Sequence, residues 1–311
     1  MNNLTKKSEG LISFKSSNPF EFFHIIKKKK VEEQEVFGSL IFPKKRKAKN
    51  PLVICIHGSL GWRGHHHEHI ANFLENGFAI FRVHSFEARN VSSIVEDQMQ
   101  VTLATTMTDC FNALNLLVNH PSIDPKRVAI AGWSLGGSSA LYSAYEPLIQ
   151  ELSPQGNRFK AHLAFYPGAY ILPEEMKWSS SPILNLVGQI DDYTPPILIK
   201  NLSTEINKHN GNSELIIYPN AHHSFDSVEP VIFEKNAIGC GIRPSLLDSQ
   251  GNLYFMGKDG SKYLLNEPNE RAQLFKTSKN IKGAHLGGNW EAREASKKDS
   301  INFLVKSLQS S

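Results

Sequence analysis

Long apolar runs are missing from this 311-residue chain. No window approaches the roughly 18 apolar residues that a membrane span needs, so no membrane partner is expected. The first ten residues are polar, with Lys6, Lys7 and Glu9, and no apolar stretch of signal length follows them, which argues against a secretory leader. Cysteine is scarce. Cys55, Cys110 and Cys240 are too few and too scattered for a disulfide framework or a zinc site. A reducing, cytoplasmic setting is the expectation. Dinucleotide and phosphate-loop fingerprints are also lacking: the glycine-rich stretch at 132–137 does not end in Lys-Ser/Thr. Nucleotide chemistry is therefore set aside, and no cofactor is expected.

Charge is nearly balanced overall, at +4, but not along the chain. Residues 1–50 hold 12 Lys/Arg against 5 Asp/Glu, a net +7, so the remainder carries −3. The runs at 27–30 and 44–47 cause this asymmetry. Neither run has interleaved aromatics or a recognisable nucleic-acid module beside it, so they read as solvated strand ends and no nucleic-acid partner is expected.

What is present is ordinary globular composition, 40% apolar and 21% charged. Residues 34–42 have a strand pattern that ends at Pro43. Leu52-Val53-Ile54-Cys55-Ile56 is a continuous apolar run, as in a strand covered on both faces. A helical pattern follows at 66–76, a strand at 78–83, a long helix at 98–119, a strand at 127–131 and a helix at 138–146. Strands are predicted at 161–166, 183–187 and 213–218. A helix between the last two opens at Thr194-Pro195-Pro196, where Thr194 suits an N-cap. This alternation predicts an α/β fold with a mostly parallel central sheet and helices on both faces.

Residues 227–290 break the rhythm, since connections in compact domains usually span about 2–8 residues. Within them, 253–256 and 262–265 flank Asp259-Gly260, a β-hairpin signal. The organisation expected is N-terminal strands and basic turns of the same domain at 1–50, a core at 51–226, an inserted hairpin-containing subdomain at 227–290, and a C-terminal core helix at 291–311.

The strongest local signal is Gly132-Trp133-Ser134-Leu135-Gly136-Gly137, directly after a strand and directly before a helix. That context gives a G-x-S-x-G match its meaning: a sharp strand-to-helix turn exposes the serine hydroxyl, and glycine two positions away on either side lets the turn close. A serine needs a base, expected later in the chain after an acid. His222 and His223 follow the strand at 213–218, and His285 is a weaker rival. Asp191 and Asp192 follow the strand at 183–187. The acid would accept from the imidazole Nδ1–H and fix its tautomer. For the oxyanion, one donor is the N–H of Leu135, and the second comes from the turn His57-Gly58-Ser59-Leu60, assigned to Ser59 with Leu60 as alternative.

With these residues in place, the chain resembles the dienelactone hydrolase family of the α/β-hydrolases. The resemblance runs from about residue 52 to 225. It rests on the His57-Gly58 turn, Ser85-Phe86 with Arg89, the elbow around Ser134, Gly188-x-x-Asp191 and Ala221-His222-His223-Ser224-Phe225. It returns at 287–293 before the last helix. The resemblance implies an α/β-hydrolase fold and prefers Asp191 over Asp192 and His223 over His222. It also implies that Arg89 contacts a substrate carboxylate. The chain departs from the family pattern in having Ser134 where founding members use cysteine, His84 where relatives often have aspartate, and the long 227–290 segment.

Ser134, Asp191 and His223 are thus the expected catalytic residues. Leu135 and Ser59 form the expected oxyanion hole, and Arg89, Trp133 and Leu60 are the expected substrate contacts. The partner expected is a small ester or lactone, and a homodimer is left open. His65-His66-His67-Glu68-His69 looks like a metal cluster, but consecutive helical residues point apart and only His65 and His69 could converge, so no metal is expected. A serine peptidase of the prolyl-oligopeptidase type and a non-catalytic binding protein are the rival readings.

Overall fold

The structure is a computed structural model that describes residues 4–277 and 282–309. Its centre is a sheet of β1 (Gly10–Ser17), β2 (Glu33–Ile41), β3 (Asn50–Ile56), β4 (Ala79–Val83), β5 (Ile123–Trp133), β6 (Ala161–Phe165), β8 (Ile183–Gly188) and β9 (Ser213–Tyr218). A short β7 (Ile171–Pro173) lies outside it. The spatial order is β1-β2-β4-β3-β5-β6-β8-β9. β1 and β2 are antiparallel, as are β2 and β4, and every later neighbour is parallel. This is the α/β-hydrolase arrangement.

Each central strand divides its side chains between two apolar layers because successive residues point to opposite faces. In β3, Leu52, Ile54 and Ile56 join one core, and Val53 and Cys55 join the other. The first core is covered by α1 (Phe22–Ile26), α3 (Leu103–Leu117), α4 (Leu135–Tyr142), α5 (Glu146–Leu152) and α6 (Pro196–Lys208). The second is covered by α2 (Gly64–Glu75) and α8 (Trp290–Leu308). Among the described residues, no helix is long and apolar enough to cross a membrane.

The differences from the sequence reading have local causes. β1 and α1 had no prediction; β1 buries Ile12, Phe14 and Ser16 at alternate positions, a pattern carried by only two large apolar residues. α3 begins at Leu103 rather than near 98, because the Thr102 side chain caps it by accepting from the Thr105 N–H. α4 begins directly after Ser134 and stops at Tyr142. Thr194 is not a cap: α6 starts at Pro196, and the Thr194 hydroxyl is engaged elsewhere.

The long segment after β9 is structured. β10 (Ile232–Ile238) pairs antiparallel with β14 (Lys282–Leu286). β11 (Ser245–Leu247), β12 (Leu253–Met256) and β13 (Lys262–Leu264) form a sheet with β7, and α7 (Pro268–Thr277) follows. β12 and β13 are the expected hairpin, with Phe255 opposite Tyr263 and Gly260 at a φ of 81° in the turn.

Candidate active site

Ser134 sits where β5 turns into α4, with φ 55° and ψ −112°. A non-glycine residue at positive φ is strained, and the surroundings must hold it there. Gly132 and Gly136 make this feasible. A Cβ on Gly132 would lie 2.0 Å from the Gly136 carbonyl oxygen, and one on Gly136 would lie 2.3 Å from that of Ile56. The turn after β3 also comes close, though less so: a Cβ on Gly58 would lie 3.2 Å from the Ser134 Cβ.

Three loops at the carboxyl ends of the parallel strands meet there. Ser134 Oγ is 2.9 Å from His223 Nε2, and His223 Nδ1 is 2.8 Å from Asp191 Oδ2. A carboxylate only accepts, so the Nδ1 proton lies toward Asp191 and Nε2 is left to accept from the serine hydroxyl. Asp191 is fixed in turn. Its Oδ1 accepts from the backbone N–H groups of Tyr193 (2.9 Å) and Thr194 (2.8 Å), and the Thr194 hydroxyl donates to Oδ2 at 2.9 Å. The His223 ring lies between Tyr166 and Tyr193, at 4.6 and 4.8 Å between centroids. Gly188 lets the acid and base loops touch, because a Cβ there would lie 2.3 Å from the Ala221 carbonyl oxygen.

Leu135 is the first residue of α4, so its N–H has no intrahelical acceptor and stands beside the nucleophile at a positive helix end. The Ser59 hydroxyl donates to Gln98 Oε1 (3.2 Å), and Gln98 Nε2 donates to the Tyr193 hydroxyl (2.9 Å). Two cavities open beside Ser134. One of about 170 Å³, termed the inner cavity, is lined by Leu103, Leu135, Tyr170, Leu253, Phe255 and Leu265 among others. An outer one of about 270 Å³ includes Gly58, Leu60, Tyr166, His223, Ile232 and Leu286. Ser59, Ser134 and Tyr193 face both.

Two expected contacts are elsewhere. Arg89 does not reach either cavity. It pairs bidentately with buried Asp109, at 2.8 and 3.0 Å, and donates to Asn18 Oδ1 and to the Ser85 and Ser17 carbonyls, which uses all five N–H donors. A guanidinium held this way has no donors left for a substrate carboxylate. Trp133 is wholly buried; its ring stacks on Phe165 and its N–H donates to Asp226 Oδ2, so it lines neither cavity. Leu60 does face the outer cavity. His285 is not near the serine but bonded to Asp192, 2.6 Å from Nδ1 to Oδ2.

Asp226, three residues after His223, had no sequence signal. It is fully buried and accepts from the Trp133 indole and the Tyr166 hydroxyl (2.9 Å), with His69 Nε2 at 3.2 Å and His65 Nε2 at 3.9 Å. Two of the four histidines on α2, His65 and His69, therefore converge on a carboxylate. Burial pushes Asp226 upward, but the His65 and His69 imidazoles outweigh this and hold its carboxyl well below the usual range. Burial drives His66 well below its ordinary value, so it is neutral at pH 7. Asp226 thereby holds the residue before the nucleophile and a ring packed on the base.

The dienelactone hydrolase family pattern matches residues 37–238. No curated protein matches the chain. Among solved structures, a thermophilic esterase from the planctomycete Thermogutta terrifontis is similar over 61% of this chain and 79% of its own, at 15% identity and a TM-score of 0.50. Its butyrate-bound form gives 61%, 81%, 15% and 0.50. A Klebsiella pneumoniae protein assigned as a dienelactone hydrolase is 19% identical over 70% of this chain and 88% of its own, with a TM-score of 0.49. At these identities the structural likeness is one of fold. The family pattern spans well over half of the sequence, and on that match the chain belongs to the dienelactone hydrolase family and is a carboxylic ester hydrolase.

Proposed function

We propose that this hydrolase cleaves a small carboxylic ester or lactone through an acyl-enzyme on Ser134. The observation that carries the reading is the unbroken chain from Ser134 Oγ to His223 Nε2 at 2.9 Å and from His223 Nδ1 to Asp191 Oδ2 at 2.8 Å. Ser134 Oγ attacks the carbonyl carbon while His223 Nε2 takes its proton. The tetrahedral oxyanion rests on the N–H groups of Leu135 and Ser59. Collapse breaks the ester C–O bond, and the imidazolium returns its proton to the leaving alkoxide. A water, deprotonated by His223, then adds to the acyl carbon and releases the acid and the free serine.

The two cavities support an assignment of the two halves of the substrate. The leaving oxygen must lie near His223, which borders only the outer cavity. The acyl group then occupies the inner cavity, whose apolar wall is supplied in part by Leu253, Phe255 and Leu265 of the 227–290 segment. Such a wall favours an apolar acyl group. The test is a series of p-nitrophenyl esters of increasing chain length. Activity should pass through a maximum, and Phe255→Ala should move that maximum to longer chains. A maximum that stays in place would remove the inner cavity from the acyl role.

A further inference from the structure

We propose that Asp192, His222 and His285 form a binding site for one divalent transition-metal ion of the zinc class, which ties the 227–290 segment to the loops that carry the acid and the base. One potential ligand atom from each side chain lies within 4.8 Å of the others. Asp192 comes from the turn after β8, His222 from the turn after β9 and His285 from β14. The His222 and His285 rings lie 5.2 Å apart at an interplanar angle of 31°. Nδ1 of His222 is enclosed and has no hydrogen-bond partner among the described residues. Asp192 already holds His285 twice, through the backbone N–H at 2.8 Å and through Nδ1 at 2.6 Å.

The donor set selects the ion. Two imidazoles and one carboxylate suit zinc and its neighbours, whereas magnesium and calcium require mostly oxygen ligands. Zinc bonds of about 2.0–2.1 Å place ligand atoms about 3.4 Å apart, so small rotations of exposed Asp192 and half-buried His222 and His285 close the set. In doing so the cation replaces the Asp192–His285 proton as the link between them. Three protein ligands leave a fourth position for water.

The place of the site gives it a consequence. Asp192 and His222 are the immediate neighbours of Asp191 and His223. Beside His285, the Gly287 N–H donates to the His223 carbonyl at 2.9 Å, and Leu286 forms a bridge with His223. An ion here joins three separate stretches of chain around the catalytic loops. It acts by positioning, since none of its ligands touches the serine.

The test uses full-length protein stripped with a chelator and titrated with zinc chloride by calorimetry, with thermal unfolding followed in parallel. The wild type should bind one ion per chain, and its unfolding midpoint should rise with zinc but not with magnesium. His285→Ala and Asp192→Asn should each weaken binding by at least about tenfold and remove the thermal shift. His67→Ala, on the other histidine-rich segment, should bind zinc as the wild type does. Circular dichroism of each variant, and His285→Gln as a milder replacement, separate lost ligation from lost folding. No binding by the wild type at submillimolar zinc, or binding undiminished in both His285→Ala and Asp192→Asn, would overturn the proposal.

Discussion

Replacing Asp191 by asparagine separates the orienting role of the acid from everything else it does. The geometry dictates how the amide must lie. Two backbone N–H groups, of Tyr193 and Thr194, point at Oδ1, so the asparagine oxygen takes that place. Its NH₂ then occupies the Oδ2 position, facing His223 Nδ1 and the Thr194 hydroxyl. Nδ1 must now accept, so the imidazole proton moves to Nε2 and points at Ser134 Oγ. The base has lost its lone pair toward the nucleophile. The hydroxyl of Thr194 keeps an acceptor, because the Tyr166 carbonyl is 3.2 Å away. An equivalent change in a serine protease lowers kcat about 10⁴-fold with intact geometry, which corresponds to about 5 kcal/mol of transition-state stabilisation. Asp191 borders neither cavity, so KM should change little. Folding should lose about 1–2 kcal/mol from the weaker, uncharged acceptor. Steady-state hydrolysis of p-nitrophenyl butyrate and a thermal melt measure both effects. A folded Asp191→Asn enzyme with kcat within about tenfold of wild type would refute the tautomer argument.

The other expectations concern the residues around the site and the core that supports it. Arg89→Ala should leave Asp109 as a buried carboxylate without its cation, held only by the Ser16 and Ser85 hydroxyls, and cost about 3–5 kcal/mol by denaturant unfolding, while KM stays unchanged in the surviving native protein for neutral esters and for esters that carry a free carboxylate. An effect on KM without loss of stability would return Arg89 to the substrate. His162 is buried, its Nε2 is without a partner among the described residues, and burial pushes its pKa down to about 4. The unfolded chain therefore takes up this proton first as pH falls below about 6.5, and stability is lost from there down to about 4. Between pH 7 and pH 5 the wild type should lose about 2 kcal/mol more than His162→Gln in urea unfolding, and equal losses would contradict this. Gly188→Ala should disrupt the contact between the acid and base loops and lower kcat, because its Cβ would meet the Ala221 carbonyl at 2.3 Å. Wild-type kcat in that variant would contradict the close approach.

The parts of the fold that sequence makes legible are those where one residue type answers one steric demand. Gly132 and Gly136 announce the turn around Ser134 because no larger residue fits there. The run at 52–56 announces a strand because both of its faces are covered. The alternation of strands and helices then narrows the acid to Asp191 or Asp192 and the base to His222 or His223; the family resemblance prefers Asp191 and His223, and these are the two that lie in one chain of hydrogen bonds with Ser134. Contacts between distant loops leave no such trace. Thr194 reads as a helix cap, and only the folded chain places its hydroxyl on Asp191. Arg89 reads as a free cation on a loop until α3 sets Asp109 against it. Asp226 is one acid among 30 Asp and Glu residues, and its link to Trp133, Tyr166 and α2 depends on four elements meeting. The histidine run is visible, but its target is not.

The most direct measurement is peptide-level mass spectrometry after treatment of the native enzyme with a fluorophosphonate. The expected result is a single adduct on Ser134, absent from Ser134→Ala and formed far more slowly in His223→Gln. A wild-type enzyme that stays unmodified, or Ser134→Ala labelled as fully as wild type, would contradict nucleophilic attack from this elbow.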